Sequence, residues 1–144
     1  MSLYRLIYRS RSAEAIDWDV LKSILHKSEQ HNVVNGLTGT LLASTTHYLQ
    51  VLEGGYEPVN ETFARIVRDP RHEEIRIIDF SVVAQRLFAD WSMRGIGVFE
   101  FNQDILQQLS VRYGGFESVF ESPLDPWRAL AMIHDVALMS QQSD

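Results

Sequence analysis

The sequence contains no cysteine. Disulfides, zinc–thiolate centres, iron–sulfur clusters and thiol nucleophiles are excluded together. It also has no apolar run of about 18 residues, so no segment reads as a membrane-spanning helix. The opening MSLYRLIYRSRS lacks the charged start, apolar stretch and cleavage site of a signal peptide, and a cytoplasmic protein is expected. Positive charge is in short supply. Thirteen Lys and Arg stand against 19 Asp and Glu, a net charge of −6, so nucleic acid would be repelled and no basic patch breaks the trend. No repeat, low-complexity tract or linker interrupts the chain. Ser10 to Ser12 and Gly114-Gly115 are its only loose punctuation, and Gln141 to Asp144 reads as a frayed tail. What remains is 144 residues, 45% of them hydrophobic, enough for one domain with a real core.

Leu3 to Ser10 reads as a strand with apolar groups on both parities, hence covered on both faces. Asp17 is the expected N-cap of a helix that carries Trp18, Leu21, Ile24, Leu25 and Ser28 at helical spacing and ends near His31 or Asn32. After the turn signal Asn35-Gly36, Leu37 to Ala43 and Tyr48 to Glu53 read as a hairpin joined by Ser44-Thr45-Thr46. Pro58 suits the first turn of a second helix, in which Val59, Thr62, Phe63, Ile66 and Val67 share one face. Pro70 stops that helix at Asp69. Ile75 to Val83 and Gly95 to Phe101 read as two more strands, joined by the aromatic-rich Phe88 to Met93. Two helices are expected near Asp104 to Arg112 and Pro126 to Met139. The class is α+β: a ferredoxin-like β-α-β-β-α-β unit with a fifth strand in a mixed sheet. Its crossover helices pack on one face and the C-terminal helices cap the other. The division is a domain over 3–101 and a helical extension over 102–140.

Five segments say more. Leu3-Tyr4-Arg5-Leu6-Ile7-Tyr8, Asn35-Gly36-Leu37-Thr38-Gly39, Leu49-Gln50-Val51-Leu52-Glu53-Gly54, Asp69-Pro70-Arg71-His72 and Asp90-Trp91-Ser92-Met93 occur in that order. Together they resemble the BLUF family, the sensors of blue light using flavin. The resemblance runs from about Leu3 to Met93 and into the last strand. The short C-terminal extension, with no output domain attached, looks like the stand-alone subclass. It implies a non-enzymatic photoreceptor with FAD or FMN as cofactor, a downstream signalling partner of unknown identity and a homo-oligomer. Without cysteine, the response has to be non-covalent.

The resemblance assigns roles residue by residue. Ile24 and Ile66 correspond to the positions that sandwich the flavin ring. Tyr8 and Gln50 correspond to the photoactive pair. In the family, light moves an electron and a proton from this tyrosine to the flavin, and the glutamine is left rotated or tautomerised. Asn32 matches the asparagine on the flavin's pyrimidine edge, and His31 a neighbouring position that varies between asparagine and histidine. Asp69, Arg71 and His72 match positions near the flavin carbonyl and ribityl chain, with Arg65 a candidate for the phosphate end. Trp91 and Met93 match a signal-relay pair. No metal site is assigned.

Taken without the resemblance, each residue has a plainer reading. Ile24, Ile66 and Tyr8 fit ordinary core, Gln50 a solvated strand position, Asn32 a helix end and the charges after the second helix a solvated cluster. The same topology also serves RNA-binding domains, which display aromatics on an open sheet and a basic surface. It equally serves a small hydrolase using Arg71 and His72, although no Gly-rich anion loop is visible. Trp127, Leu130, Ile133, Val136 and Met139 mark an apolar stripe available for a partner or oligomer.

Overall fold

The computed structural model describes residues 2–113 and 125–142; the Gly114-Gly115 pair and the last two residues lie outside them. Five strands form one open sheet in the order β4-β1-β3-β2-β5. They are β1 (Leu3–Ser12), β2 (Thr38–Ala43), β3 (His47–Gly54), β4 (His72–Val83) and β5 (Arg94–Gly97). The helices are α1 (Trp18–Asn35), α2 (Tyr56–Arg68), α3 (Gln103–Tyr113) and α4 (Pro126–Gln142). Neighbouring strands among β4, β1, β3 and β2 pair antiparallel, and β5 joins β2 in parallel. This is the expected ferredoxin-like α+β fold with a mixed sheet.

Strand alternation sorts the core into two layers. Leu6, Tyr8, Leu41 and Leu52 point to the side of α1 and α2, where Leu21, Val59 and Met93 join them. Ile7, Leu42, Leu49 and Val51 point to the other side, against Ile105, Leu109, Met132, Ile133 and Val136 of α3 and α4. The C-terminal helices therefore cover the face that an RNA-binding domain leaves open for bases. They also use up most of the apolar stripe expected to be free, since Ile133, Val136 and Met139 are buried while Trp127 is exposed.

Several boundaries differ from expectation, and α4 runs on to Gln142, into residues expected to fray. Helix α1 runs on to Asn35 because Gly36, at φ 67°, is the first residue suited to the left-handed cap, and Gly36 N–H closes onto Asn32 O. Strand β4 begins at His72 rather than Ile75, since β1 continues to Ser12 and pairs with it. The ladder is irregular there, and Glu74 takes a positive φ of 48°. Strand β5 stops at Gly97, opposite the last residue of β2. Beyond it Val98–Glu100 tightens into a 3-10 turn. At Gly95 a Cβ would lie 2.1 Å from Leu25 Cδ1, so the missing side chain lets α1 settle on β5. The aspartate cap stands as expected, with Asp17 Oδ1 accepting from Val20 N at 2.9 Å.

Candidate functional site

Between α1 and α2 lies a cleft of about 200 Å³. Its floor is the middle of the sheet, where Gln50 stands opposite Tyr8 of β1 and Leu41 of β2. Ile24 of α1 and Ile66 of α2 form apolar walls, and Lys27, Ser28, His31, Thr62, Arg65, Asp69, Arg71 and His72 complete the lining. The volume is several times the ~30 Å³ share of one water molecule, so the space suits an organic ring system. Apolar sides over a polar floor suit a flat ring with hydrogen-bonding groups along one edge.

Tyr8 and Gln50 are buried, at 1% and 4% exposure, so both polar groups need protein partners. Tyr8 O–H donates to Gln50 Oε1. That bond fixes the amide orientation, and Gln50 Nε2 then faces Met93 Sδ at 3.6 Å. A thioether is a weak acceptor, and the amide has a second N–H. Gln50 can therefore take a further acceptor. Burial, reinforced by Tyr48, raises the Tyr8 pKa far above the usual phenol range. The phenol proton stays on Oη at any physiological pH.

The cleft wall carries a bridge between the helices. Arg65 Nη1 approaches His31 Nδ1 at 2.6 Å, and His31 Nε2 meets Thr62 Oγ1 at 2.9 Å. A guanidinium only donates, so Nδ1 accepts and the ring proton sits on Nε2. Burial first, then Arg65, lower the His31 pKa, against Glu61. At the other end Arg71 grips Asp69, with Nη2 to Oδ2 at 2.6 Å and Nε to Oδ1 at 3.0 Å. The Arg71 side-chain bonds pull the Asp69 pKa to about 2. His72 meets Ser10 Oγ at 3.1 Å through Nδ1, and burial lowers its pKa.

The structure thus gathers Tyr8, Ile24, His31, Gln50, Arg65, Ile66, Asp69, Arg71 and His72 around one space. Asn32 does not line it; the residue is buried and donates Nδ2 to Ser92 O at 2.6 Å. Met93 packs with the α1/α2 layer, whereas Trp91 packs on the α3/α4 side against Phe88, ring centroids 5.9 Å apart. Sequence reasoning missed Lys27, Ser28, Leu41 and Thr62. Helical spacing could have found three of them: Lys27 and Ser28 lie three and four residues beyond Ile24, and Thr62 four before Ile66. Leu41 is opposite Gln50 in the hairpin register.

A family model described as "BLUF: Sensors of blue-light using FAD" matches residues 3–94. The photoactivated adenylate cyclase subunit alpha of Euglena gracilis is 33% identical over 94 residues, which cover 64% of this chain and 9% of that subunit. The blue light- and temperature-regulated antirepressor BluF of Escherichia coli (strain K12) is 28% identical over 145 residues, covering 98% of this chain and 34% of the antirepressor. The chain thus spans a small part of either relative's length. Among solved structures, the dark-state structure of BlrB, a BLUF protein, superposes with a TM-score of 0.75 at 29% identity, covering 96% of this chain and 97% of that one.

Proposed function

This chain belongs to the BLUF family, the sensors of blue light using FAD, and on that premise we propose that Tyr8 and Gln50 are the photoactive pair of a reversible flavin-based switch. One observation carries the proposal: a buried phenol donates to a buried amide whose other end meets only a soft sulfur acceptor, on the floor of a ring-sized cleft.

The cleft fits a flavin by its chemistry. Ile24 and Ile66 would hold the ring faces and Gln50 its polar edge. Asp69, Arg71 and His72 would meet the carbonyl and ribityl groups, with His31 beside the edge and Arg65 towards a phosphate. Asn32 lies outside the lining with one N–H committed to Ser92, so its place at the pyrimidine edge is supported by the family motif and not by the geometry of the cleft. Bound flavin supplies blue-light absorption and an excited state able to accept an electron. Tyr8 holds its proton too tightly to ionise by itself, so it passes that proton towards Gln50 Oε1 only when the phenol is oxidised at the same time. When the phenol is restored, Gln50 is left with its amide reversed, by rotation or tautomerisation. Its new donor and acceptor pattern shifts absorption to the red and disturbs the Met93 contact. Trp91 and Met93 then relay the change from the cleft to the α3/α4 side.

In this reading the domain over 3–101 senses and the helical extension over 102–140 transmits, without catalysis of its own, to a signalling partner or a second copy in the cytoplasm. Among the described residues no helix is long and apolar enough to cross a membrane. The test is a light-minus-dark absorption spectrum of the flavin-loaded protein. We expect a red-shifted band that recovers in darkness, lost in Tyr8→Phe and in Gln50→Leu while flavin stays bound. A normal photocycle in either variant would remove that residue from the mechanism, and bleaching without recovery would point to redox chemistry instead.

A further inference from the structure

Glu53 is a carboxylate with 0% exposure. It lies on β3 three residues beyond Gln50, so its side chain points to the opposite face of the sheet. A buried carboxylate is costly unless it is paired and hydrogen-bonded, and this one is both. It accepts from Arg5 Nε at 2.9 Å, from Leu87 N at 2.9 Å and from Phe88 N at 2.9 Å. Arg5 in turn gives Nη2 to Gln85 O at 3.3 Å. The clasp therefore grips the chain where it leaves β4 and begins its crossing to β5.

The same crossing ends at Met93. Between the two ends it is held by Gly39 N–H to Trp91 O at 3.1 Å and by Asn32 Nδ2 to Ser92 O at 2.6 Å. Phe88, whose N–H is bound by Glu53, stacks on Trp91. Strand β3 thus holds one segment at two points and from two faces. Glu53 anchors its start, and Gln50 Nε2 meets the Met93 sulfur at its end. Three N–H donors hold the Glu53 carboxylate, whereas a single bond to a weak thioether acceptor joins Gln50 to Met93, so the start of the segment is held more firmly than its end.

We infer that Glu53 is a positioning residue for the light response, resting on the Tyr8–Gln50 reading above: its clasp selects the arrangement in which Met93 receives Gln50 Nε2. That arrangement is the dark one. With a weaker clasp, Met93 is no longer presented to the returning amide, and return from the lit state slows. Flavin affinity stays the same, because Glu53 lies on the face away from the cleft.

The experiment uses the flavin-loaded protein and Glu53→Gln, which replaces one acceptor oxygen of the clasp by a donor. We expect unchanged flavin content, an unchanged dark absorption maximum, and dark recovery slowed by about fivefold or more, the low end of typical coupling between linked groups. Recovery as fast as the parent's, or faster, would overturn the inference. Glu53→Asp keeps the charge beside Arg5 but is a methylene too short for all three donors. It should slow recovery by less, and it decides the question by the same criterion if Glu53→Gln does not fold. A parent protein with no reversible shift removes the underlying reading, whereas a parent that shifts and a variant that recovers identically remove only the role of Glu53.

Discussion

The two faces of the sheet are built differently. On the α3/α4 side, Leu109, Ala129, Met132, Ile133 and Val136 are buried against Ile7, Leu42, Leu49 and Val51, and the buried Arg5 and Glu53 on that face are paired with each other. On the α1/α2 side, α1 has 18 residues yet fully buries only Leu21 and Asn32, and α2 fully buries only Val59 and Thr62. A helix keeps its place in water mainly through the face it packs. The first face is therefore a finished core. The second is divided by the cleft between α1 and α2, and in the reading proposed above a flavin fills it.

That contrast is open to direct attack, and the largest effect belongs to the finished face. Ile133→Ala should cost about 2–5 kcal/mol, as for other buried Ile or Leu truncations, with the spectral shift on illumination retained. Ile24→Ala in the apoprotein should cost far less, because Ile24 is only partly buried, yet it should weaken flavin binding. Urea unfolding of both variants with and without flavin separates the two. Equal losses for the two substitutions in the apoprotein would mean that the α1/α2 side is already complete.

Next comes the ligand. Free flavin at a hundredfold excess over its Kd should stabilise the protein by about 2.7 kcal/mol. If flavin completes the core, amide exchange should slow most in α1 and α2, whose packing it finishes, and least in α3 and α4. Uniform protection across all four helices would show instead that the sheet and both layers unfold as one unit.

The same contrast explains how much could be read in advance. The cover on both faces of the sheet and the α2 face were legible because β1 carries apolar groups on both parities and Val59, Thr62, Phe63 and Ile66 repeat at helical spacing. The end of α1 was not, since Val33 and Val34 are 69% and 83% exposed and give no burial signal. The real stop is a backbone property of Gly36. Lys27 escaped notice because a polar residue on a helix reads as solvated unless the cleft beside it is known, while Ser28 and Thr62, on the apolar faces of their helices, read as packing. Glu53 escaped for a related reason. Its three donors include two backbone N–H groups from 34 and 35 residues away, and no side-chain pattern announces those. Where function was assigned to named residues, the motifs and not the periodicity carried it.

A smaller effect tests the seam between the faces. Arg94 stands on β5 next to Met93 and reaches across to α4, with Nη2 to Ser140 Oγ at 2.5 Å and to Ala137 O at 3.2 Å, while its guanidinium lies 4.5 Å from the Trp91 ring centre. Arg94→Ala should cost about 1.5–3 kcal/mol, the scale of a charged hydrogen bond. Amide exchange should rise in the last turns of α4 and not in α1. An effect spread equally over both helices would argue that Arg94 serves the whole sheet.

The smallest effect is one of pH, and it too divides the faces. His31 and His72, both on the cleft, have lowered pKa values. His31 faces Arg65, Glu61, Thr62 and Asn35, and His72 faces Asp69, Arg71, Ser10 and Tyr48. A native pKa below the unfolded value of 6.5 means that the unfolded chain binds more protons as the pH falls. The stability these two groups contribute is therefore whole above 6.5 and is lost progressively as the pH drops towards the lowered native values. A proton on His31 would also set two cations side by side where Arg65 now donates to Nδ1. The Tm of the apoprotein should decline below about pH 6.5, flavin should be released more readily over the same range, and His31→Gln with His72→Gln should flatten both trends. A decline that survives the double substitution would place the acid-sensitive groups elsewhere and leave the cleft indifferent to protons.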